Sequence, residues 1–408
     1  MTTYRALFAN GEFRALFAGN AATVAGGTMQ GLALSALIYA TTGSPLLSAL
    51  AFAGALFPQA IGAMTLLSLT DRLRPRAFLA GWTLVKAAVA AVFALGALPP
   101  WGMLALLMAV GVVDSITGGM RAGIIVDIAP GNFVLGRSVL NVSVGLMQIL
   151  GFATGGLVIT ALGPGRALAV AAALTAISAL FFRFGLADRP PRGTGRAGIR
   201  ATWHANKSLL GDPVTRPLLL GAWLPNGLIV GAEAMYVPYA GNHAAVLFVA
   251  AALGMLTGDV VVGRWVPAAQ RARQVNALQA LLALPYLFFF LTPSVWVGAA
   301  LVAVASFGYS GTLGLQQRLV DAIPEGIRGQ ALGLDSSGRM TFQAVGAFVV
   351  GLIAEVAGAP GAMTLAAMAS LLVSAMLWRP LRSHFTTGAP TAVAVGVGAG
   401  VGVGVGRS

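Results

Sequence analysis

The sequence between Ala15 and Thr70 reads ALFAGNAATVAGGTMQGLALSALIYATTGSPLLSALAFAGALFPQAIGAMTLLSLT and contains no Asp, Glu, Lys or Arg. A second uncharged stretch runs from Gln274 to Gln317. A helix needs about 20 apolar residues to cross a bilayer once, so each stretch is long enough for two crossings. Helices buried in soluble proteins rarely exceed about 20 residues. We therefore expect an integral membrane protein.

The overall composition agrees with a chain that lies mostly in lipid. Of the 408 residues, 57% are hydrophobic and 9% are charged, whereas soluble domains contain about 25% charged residues. The formal net charge of +13 does not indicate a nucleic-acid partner, because the basic residues are spread between apolar runs and do not form one face. The chain contains no Cys, which excludes disulfide bonds, Cys-based zinc sites and thiol catalysis.

Dividing the apolar runs at Gly, Pro and charged clusters predicts an all-α protein with twelve transmembrane helices, numbered here as spans 1 to 12. Spans 1 to 6 are predicted at about Leu16–Tyr39, Pro45–Leu69, Ala77–Leu98, Gly102–Val126, Ser138–Leu162 and Ala167–Leu186. Spans 7 to 12 are predicted at about Leu218–Tyr239, Ala244–Val266, Ala277–Leu291, Ser294–Leu319, Gly329–Ala357 and Gly361–Trp378.

Basic residues are distributed unequally between the loops. The termini and the loops that follow even-numbered spans hold nearly all of them, whereas the opposite loops hold only Arg166. Because loops rich in Arg and Lys stay on the cytoplasmic side, both termini are predicted to be cytoplasmic. We expect a multi-pass protein of a bacterial cytoplasmic (inner) membrane.

A polar connector rich in Pro, Gly and Arg divides the chain into two similar parts. The predicted domains are an N-terminal six-helix bundle at 1–187, a cytoplasmic connector at 188–216, a C-terminal six-helix bundle at 217–380 and a disordered low-complexity tail at 381–408. Val126 and Asp127 before Pro130 recur as Val320 and Asp321 before Pro324. Gly136, Gln148, Gly151 and Gly156 recur at nearly the same offset as Gly329, Gln343, Gly346 and Gly351. Two pseudo-symmetric bundles of this kind are typical of alternating-access transporters.

The loop after span 2 reads Asp-Arg-Leu-Arg-Pro-Arg at residues 71–76. This loop resembles the loop signature of the major facilitator superfamily, and the chain resembles that family over its full length, most of all its bacterial drug, macrolide and siderophore efflux branch. Leu67 and Arg74 stand where the signature has Gly. A weaker copy follows span 8, at Gly263, Arg264, Arg271 and Arg273.

The resemblance implies a conformational latch and a central cavity. The latch would consist of Asp71, Arg72, Arg76 and Arg121, with Asp71 against the end of span 11. The family's cavity is lined by spans 1, 4, 7 and 10, which makes candidate substrate-cavity residues of Asn20, Gln30, Asn226, Tyr236 and Tyr309. Each of these polar side chains has an alternative role in joining two helices.

Ionisable side chains inside a membrane are costly, so each is a functional candidate. The proton-coupling candidates are Asp114, Glu233 and Asp259, because a desolvated carboxylate is able to exchange its proton for a cationic or polar substrate. The alternative is that these groups form buried ion pairs that only fix helix packing. In that case Asp114 neutralises Arg121, and Asp259 or Glu233 neutralises Lys86.

Asp335 and Arg339 are four residues apart in span 11, the spacing of an intrahelical pair, and we expect them to pair. Neither Lys86 nor Lys207 follows a phosphate-binding loop, and His204, His243 and His384 fall in loops or the tail. We therefore expect no enzyme activity, no cofactor and no metal site.

The sequence thus predicts a secondary active transporter that exports a small amphiphilic compound by alternating access, coupled to protons. The expected partners are this small-molecule substrate, protons and the lipid bilayer, and the protein is expected to be a monomer. Span 5 lacks the Gly-Pro of the family's antiporter signature, so an importer or uniporter of the same fold stays open. A non-transporting membrane sensor or scaffold is the alternative from another class.

Overall fold

The computed structural model describes residues 4–65, 73–128, 133–191, 206–323 and 328–383. All regular secondary structure in these ranges is helical. Within these described ranges, ten helical segments are long and apolar enough to cross a membrane. Large apolar side chains on the outer surface stay exposed, as in Phe184 at 80% and Val356 at 94%. Such an apolar outer surface suits contact with lipid and not with water.

The first six spans are well-formed helices whose starts follow from local sequence. Their bounds are Gly11–Thr42 for span 1, Pro45–Ala53 with Leu56–Thr65 for span 2, Pro75–Ala94 for span 3, Pro100–Ile128 for span 4, Phe133–Leu162 for span 5 and Pro164–Gly185 for span 6. Proline stands at the first helical position of several spans, where its missing N–H costs nothing. Span 1 ends at Gly43, which has a φ of +65°.

Spans 7 to 12 contain more breaks. Their bounds are Thr215–Glu233 with Tyr236–Ala240 for span 7, Ala244–Trp265 for span 8, Ala268–Ala283 with the 3₁₀ segment Leu284–Leu291 for span 9, and Val295–Phe307 with Gly311–Asp321 for span 10. Spans 11 and 12 form the helical stretch Arg328–Ser383, which breaks at Gly358 with a φ of +69°.

Two of the ten membrane-crossing segments, Thr215–Trp265 and Ala331–Leu381, are 51 residues long. A straight helix of that length measures about 75 Å, whereas a bilayer core is about 30 Å thick. Each segment is interrupted by a glycine with a positive φ, Gly241 at +53° and Gly358 at +69°. Each therefore supplies two crossings, which agrees with the predicted twelve spans and the all-helical membrane fold.

The predicted start of span 9 and the predicted end of span 12 differ from the structure. Span 9 begins at Ala268 and not near Ala277, since its polar first turns are helical as well. Span 12 continues to Ser383, so the predicted tail starts at least three residues too early. Leu381 is 1% exposed and packs in a core with Leu218 and Trp223, which explains the longer helix. The rest of the predicted tail lies outside the described residues.

The buried apolar residues form three cores. One core is shared by the two halves, and each half has one core of its own. One core contains residues of both halves, including Leu34 and Leu47 with Tyr236, Phe248 and Val350. The other two are separate. One is built from spans 1, 3, 4, 5 and 6 and the segment before span 1, and the other is built from the C-terminal half. The shared core lies at the end of the molecule that carries residues 43–46, 241–244 and 355–360, which we call the sealed end. The opposite end, which holds Arg76, Arg189 and Arg264, we call the basic end.

Candidate transport site between the halves

The sealed end contains a carboxylate from one half that caps a helix of the other. Ser44 is the N-cap residue of span 2, and its hydroxyl accepts a hydrogen bond from the Leu47 N–H at 3.2 Å. Glu355 of span 11 accepts hydrogen bonds from the Ser44 hydroxyl and from the Leu46 N–H, the latter at 3.1 Å. An anion is favoured at a helix N-terminus because the unpaired N–H groups there carry partial positive charge. Glu355 therefore holds the two halves together at this end.

Aromatic rings close the interface immediately below this contact. Phe248 of span 8 lies against Phe52 of span 2 and Phe152 of span 5, with ring centroids 4.7 and 4.6 Å apart. Tyr236 of span 7 meets the same ring edge-on at 4.8 Å. Beside them, a Cβ placed on Gly156 would lie 2.1 Å from the Cβ of Ala245. The halves are thus in van der Waals contact, without room for a larger residue at position 156.

Glu233 is the last residue of the first helix of span 7, directly before the break that precedes Tyr236. It is half-buried, and among the described residues its carboxylate makes no hydrogen bond and no ion pair. Tyr236, three residues further along span 7, is the nearest polar side chain in the sequence. Tyr236 and Tyr286 are both fully buried, and their hydroxyl oxygens are 2.5 Å apart. Glu233 is consequently a membrane-embedded carboxylate next to neutral polar groups, without a counter-ion.

The other two carboxylates inside the C-terminal half have contrasting surroundings. Asp259 of span 8 is half-buried, and its Oδ1 is enclosed without a hydrogen-bond partner. Asp335 of span 11 is 1% exposed and forms the expected pair with Arg339 at 2.7 Å. The Gln316 side-chain amide donates to Asp335 at 3.1 Å, and the Trp223 indole donates to its backbone carbonyl at 3.0 Å. Asp335 is therefore fully partnered, whereas Asp259 is not.

In the N-terminal half, Asp114 of span 4 is partnered from span 3. It accepts hydrogen bonds from the Lys86 ammonium at 3.0 Å and from the Trp82 indole at 3.2 Å. Lys86 is therefore neutralised by Asp114, and not by Asp259 or Glu233. Arg121 makes no ion pair within 4.0 Å among the described residues and donates instead to Asn20. Within the described part of the chain, Asp114 is the one proton-coupling candidate of the three that has a cationic partner.

The predicted cavity residues lie in different places. Asn226 and Tyr309 are brought together and both line a cavity of about 10 Å³ within the C-terminal half. That volume is about the space of one water molecule. Tyr236 is 0% exposed and Asn20 is 4% exposed, so both are inside their helix bundles, whereas Gln30 on span 1 is half-buried.

The predicted latch is described only in part, because Asp71 and Arg72 lie outside the described residues. Arg76 lies 3.9 Å from the Asp188 carboxylate, beyond span 6. A tighter cluster is formed by Arg189, which binds both carboxylate oxygens of Glu12 and lies 3.2 Å from Asp127. Hydrogen bonding to Glu12 raises the pKa of the Arg189 guanidinium. This cluster joins the basic ends of spans 1, 4 and 6.

Sequence reasoning missed Glu355, Tyr286 and Trp223 as parts of the site. A signal existed for Glu355, since it is the single acidic residue near the loops of the sealed end. Tyr286 and Trp223 gave no such signal, because their partners are 50 and 112 residues away in sequence.

Comparisons with known proteins agree with this architecture. The family model described as Major Facilitator Superfamily matches residues 16–320. No protein with a curated description matches the chain.

Solved transporter structures of low sequence identity share the fold. A bacterial homologue of the human lysosomal transporter Spinster, in an inward-facing and unoccupied conformation, has a TM-score of 0.70 at 15% identity, covering 92% of this chain and 97% of that one. The xylose transporter XylE from E. coli, inward open, has a TM-score of 0.66 at 14% identity, with 90% and 95% coverage. A human organic anion transporter has a TM-score of 0.60 at 18% identity, with 90% and 99% coverage. The chain therefore belongs to the major facilitator superfamily and is a multi-pass membrane protein with the fold of a secondary transporter.

Proposed function

We propose that this protein exports a small amphiphilic compound by alternating access, coupled to an inward flux of protons. Glu233 carries the proposal, because it is a carboxylate within the membrane that has no counter-ion among the described residues. An ionised carboxylate in such surroundings is costly, and protonation removes that cost. Glu233 therefore exchanges a proton as the halves rearrange, and its proximity to the shared core at the sealed end couples this exchange to opening.

The charge distribution supports an orientation for the cycle. The positive-inside rule supports a cytoplasmic basic end, with both termini on the cytoplasmic side of a bacterial inner membrane. The sealed end then faces outward, and the separate cores at the basic end correspond to an inward-open state. A compound enters from the cytoplasm in this state and leaves after the contacts around Glu355 separate.

Inverted membrane vesicles test the direction and the coupling together. Vesicles with an acidified lumen are offered three fluorescent amphiphiles of different charge: cationic ethidium, neutral N-phenylnaphthylamine and anionic anilinonaphthalene sulfonate. We expect acid-dependent accumulation of at least one probe in the lumen, and loss of it in Glu233→Gln. Asp188→Asn, which changes an exposed carboxylate, is the matched control. Accumulation that is the same without a pH gradient would contradict proton-coupled export.

Import or uniport by the same fold is the second candidate, favoured by the missing Gly-Pro of span 5. Import or uniport predicts that vesicles of native orientation take up the substrate. It also predicts that an acidic lumen does not drive accumulation in inverted vesicles. A sensor or scaffold instead predicts that Glu233→Gln and Asp114→Asn leave every phenotype of the cell unchanged.

A further inference from the structure

Arg121 of span 4 is a cation whose hydrogen-bond partners are all neutral among the described residues. One guanidinium nitrogen donates to the Asn20 side-chain oxygen at 2.8 Å, and another donates to the Thr117 hydroxyl at 3.2 Å. The carboxylate on the same helix, Asp114, is engaged by Lys86 at 3.0 Å. Among the described residues, Arg121 therefore lacks an ion-pair partner, although it lies inside a membrane-spanning helix. Asp114 attracts the Arg121 charge through space, but no carboxylate among the described residues accepts a hydrogen bond from the guanidinium. Its hydrogen bonds go to neutral groups only, so an anionic ligand would supply the charged partner that is missing.

Asn20 adds a second unused donor at the same place. The residue is 4% exposed, and its side-chain oxygen is occupied by Arg121. The side-chain nitrogen is buried and has no hydrogen-bond partner among the described residues. A buried donor left unpaired costs about 1–3 kcal/mol, so such groups in native proteins call for an explanation.

The unused hydrogen-bonding capacity of this cluster is on the donor side. A guanidinium has five N–H donors in a planar fork and accepts nothing, and the free Asn20 nitrogen also donates. This geometry matches the two oxygens of a carboxylate or sulfonate, which a guanidinium binds side by side. A cationic group is disfavoured here, because it would lie beside the like charge of the Arg121 guanidinium.

We infer that Arg121 and Asn20 bind an anionic group, a carboxylate or sulfonate, on the compound that the protein transports. This inference rests on the proposed transport function and assigns the substrate class. The anion site lies in the N-terminal half and the proton-carrying Glu233 in the C-terminal half, so the substrate anion and the proton do not compete for one group. The alternative is that Arg121 only ties span 4 to span 1.

One substitution separates these two roles. Asn20→Asp is nearly isosteric and places a carboxylate 2.8 Å from Arg121, where Asn20 Oδ1 now accepts. The new carboxylate satisfies the cation from within the protein, so we expect the fold and the contact between spans 1 and 4 to persist. Anion binding is lost because the site is already neutralised. Thr117→Val is the matched control, since it removes one hydrogen bond of Arg121 and leaves the cation free.

Thermal unfolding of the purified full chain in detergent provides the measurement. The probes share one ring system: 2-naphthoate and 2-naphthalenesulfonate, neutral 2-naphthamide and cationic naphthylmethylamine. At saturating concentration we expect the two anions to raise the unfolding temperature by about 2–4 °C. The shift should disappear in Arg121→Gln and Asn20→Asp, and persist in Thr117→Val.

Several outcomes would overturn the anion site. They are an absence of any shift with both anions, an equal shift with naphthamide, an unchanged anion shift in Asn20→Asp, and stabilisation by added phosphatidylglycerol alone, which would make the site a lipid site. Stabilisation by the cationic probe that depends on Glu233 would also overturn it, while leaving proton-coupled transport intact. Failure of the proposed function itself would instead appear as probe binding without pH-driven accumulation in vesicles.

Discussion

The two halves have the same helical plan but leave different charges without a partner. In the N-terminal half Asp114 is paired with Lys86, and the group left over is the cation Arg121. In the C-terminal half Asp335 is paired with Arg339, and the groups left over are the carboxylates Glu233 and Asp259. Among the described residues, each half therefore keeps one ion pair within its spans: Lys86–Asp114 joins span 3 to span 4, and Asp335–Arg339 lies within span 11. The unpaired groups are those we assign to function, and they have opposite sign.

The comparison is tested most severely by breaking the enclosed pair of the C-terminal half. Asp335→Asn leaves the Arg339 guanidinium without its counter-ion, which costs about 3–5 kcal/mol for a buried pair. We expect the unfolding temperature of the purified protein to fall by about 10 °C. In the double variant with Arg339→Met, much of this loss should be recovered. A double variant that is less stable than Asp335→Asn alone would show that the unpaired Arg339 charge does not cause the loss of stability.

Glu233→Gln tests the group that the same half leaves unpaired. We expect proton-driven accumulation in inverted vesicles to fall about 100-fold, as is typical when a proton-transferring group is removed. The unfolding temperature should stay the same or rise, because an uncompensated charge has been removed from the membrane. Asp335→Asn is thus expected to lower stability, whereas Glu233→Gln is expected to lower transport without lowering stability. Coupled accumulation at the wild-type rate would refute the role of Glu233.

Glu355→Ala tests the contact between the halves. The variant loses two hydrogen bonds to an ionised group, and because Glu355 is exposed we expect a total of about 1–2 kcal/mol. That shifts the balance between sealed and open states by about 5–30-fold. A Cys introduced at the buried position Ala49, which faces Gly351 of span 11, should react with maleimide correspondingly faster. Glu12→Ala, a carboxylate at the basic end, should leave this rate unchanged, and an equal effect would remove the argument for a gate.

The smallest effect is expected for the ion pair of the N-terminal half. The Lys86 and Asp114 side chains are 20% and 22% exposed, so the pair is partly solvated. Replacing both residues, by Lys86→Met and Asp114→Asn, should change transport by no more than about 1 kcal/mol, or about fivefold. A loss as large as that of Glu233→Gln would place the coupling proton on Asp114 and reverse the assignment.

Hydropathy and charge distribution were sufficient to predict the membrane fold and the twelve spans, because both depend on local composition. The intrahelical pair of Asp335 and Arg339 was also predictable, since its spacing is fixed by the helix. The sequence did not predict which carboxylate pairs with Lys86. It depends on how spans 3 and 4 pack, and the nearest carboxylate, Asp114, is 28 residues away in sequence.

The helix breaks were less accessible to sequence reasoning than the spans. The helix break at Gly358 is predictable, because a Gly and the nearby Pro360 both disfavour a continuous helix. The interruption after Glu233 has no Gly or Pro directly at the break. The contact between Ser44 and Glu355 joins residues that are 311 positions apart. This contact exists only because spans 2 and 11 lie against each other at the sealed end, and the periodicity of the sequence does not predict which spans pack together.

The central claim, that the halves move about a membrane-embedded site, is tested most directly by distances between spin labels. The chain contains no Cys, so labels attach only at introduced positions. One pair, Arg14→Cys and Arg273→Cys, reports on the basic end, and a second pair, Thr42→Cys and Val356→Cys, reports on the sealed end. Alternating access predicts two distances at each end, with the longer distance at the sealed end gaining population in Glu355→Ala while the longer one at the basic end loses it. A single distance at both ends, unchanged by Glu355→Ala and by pH, would contradict the account.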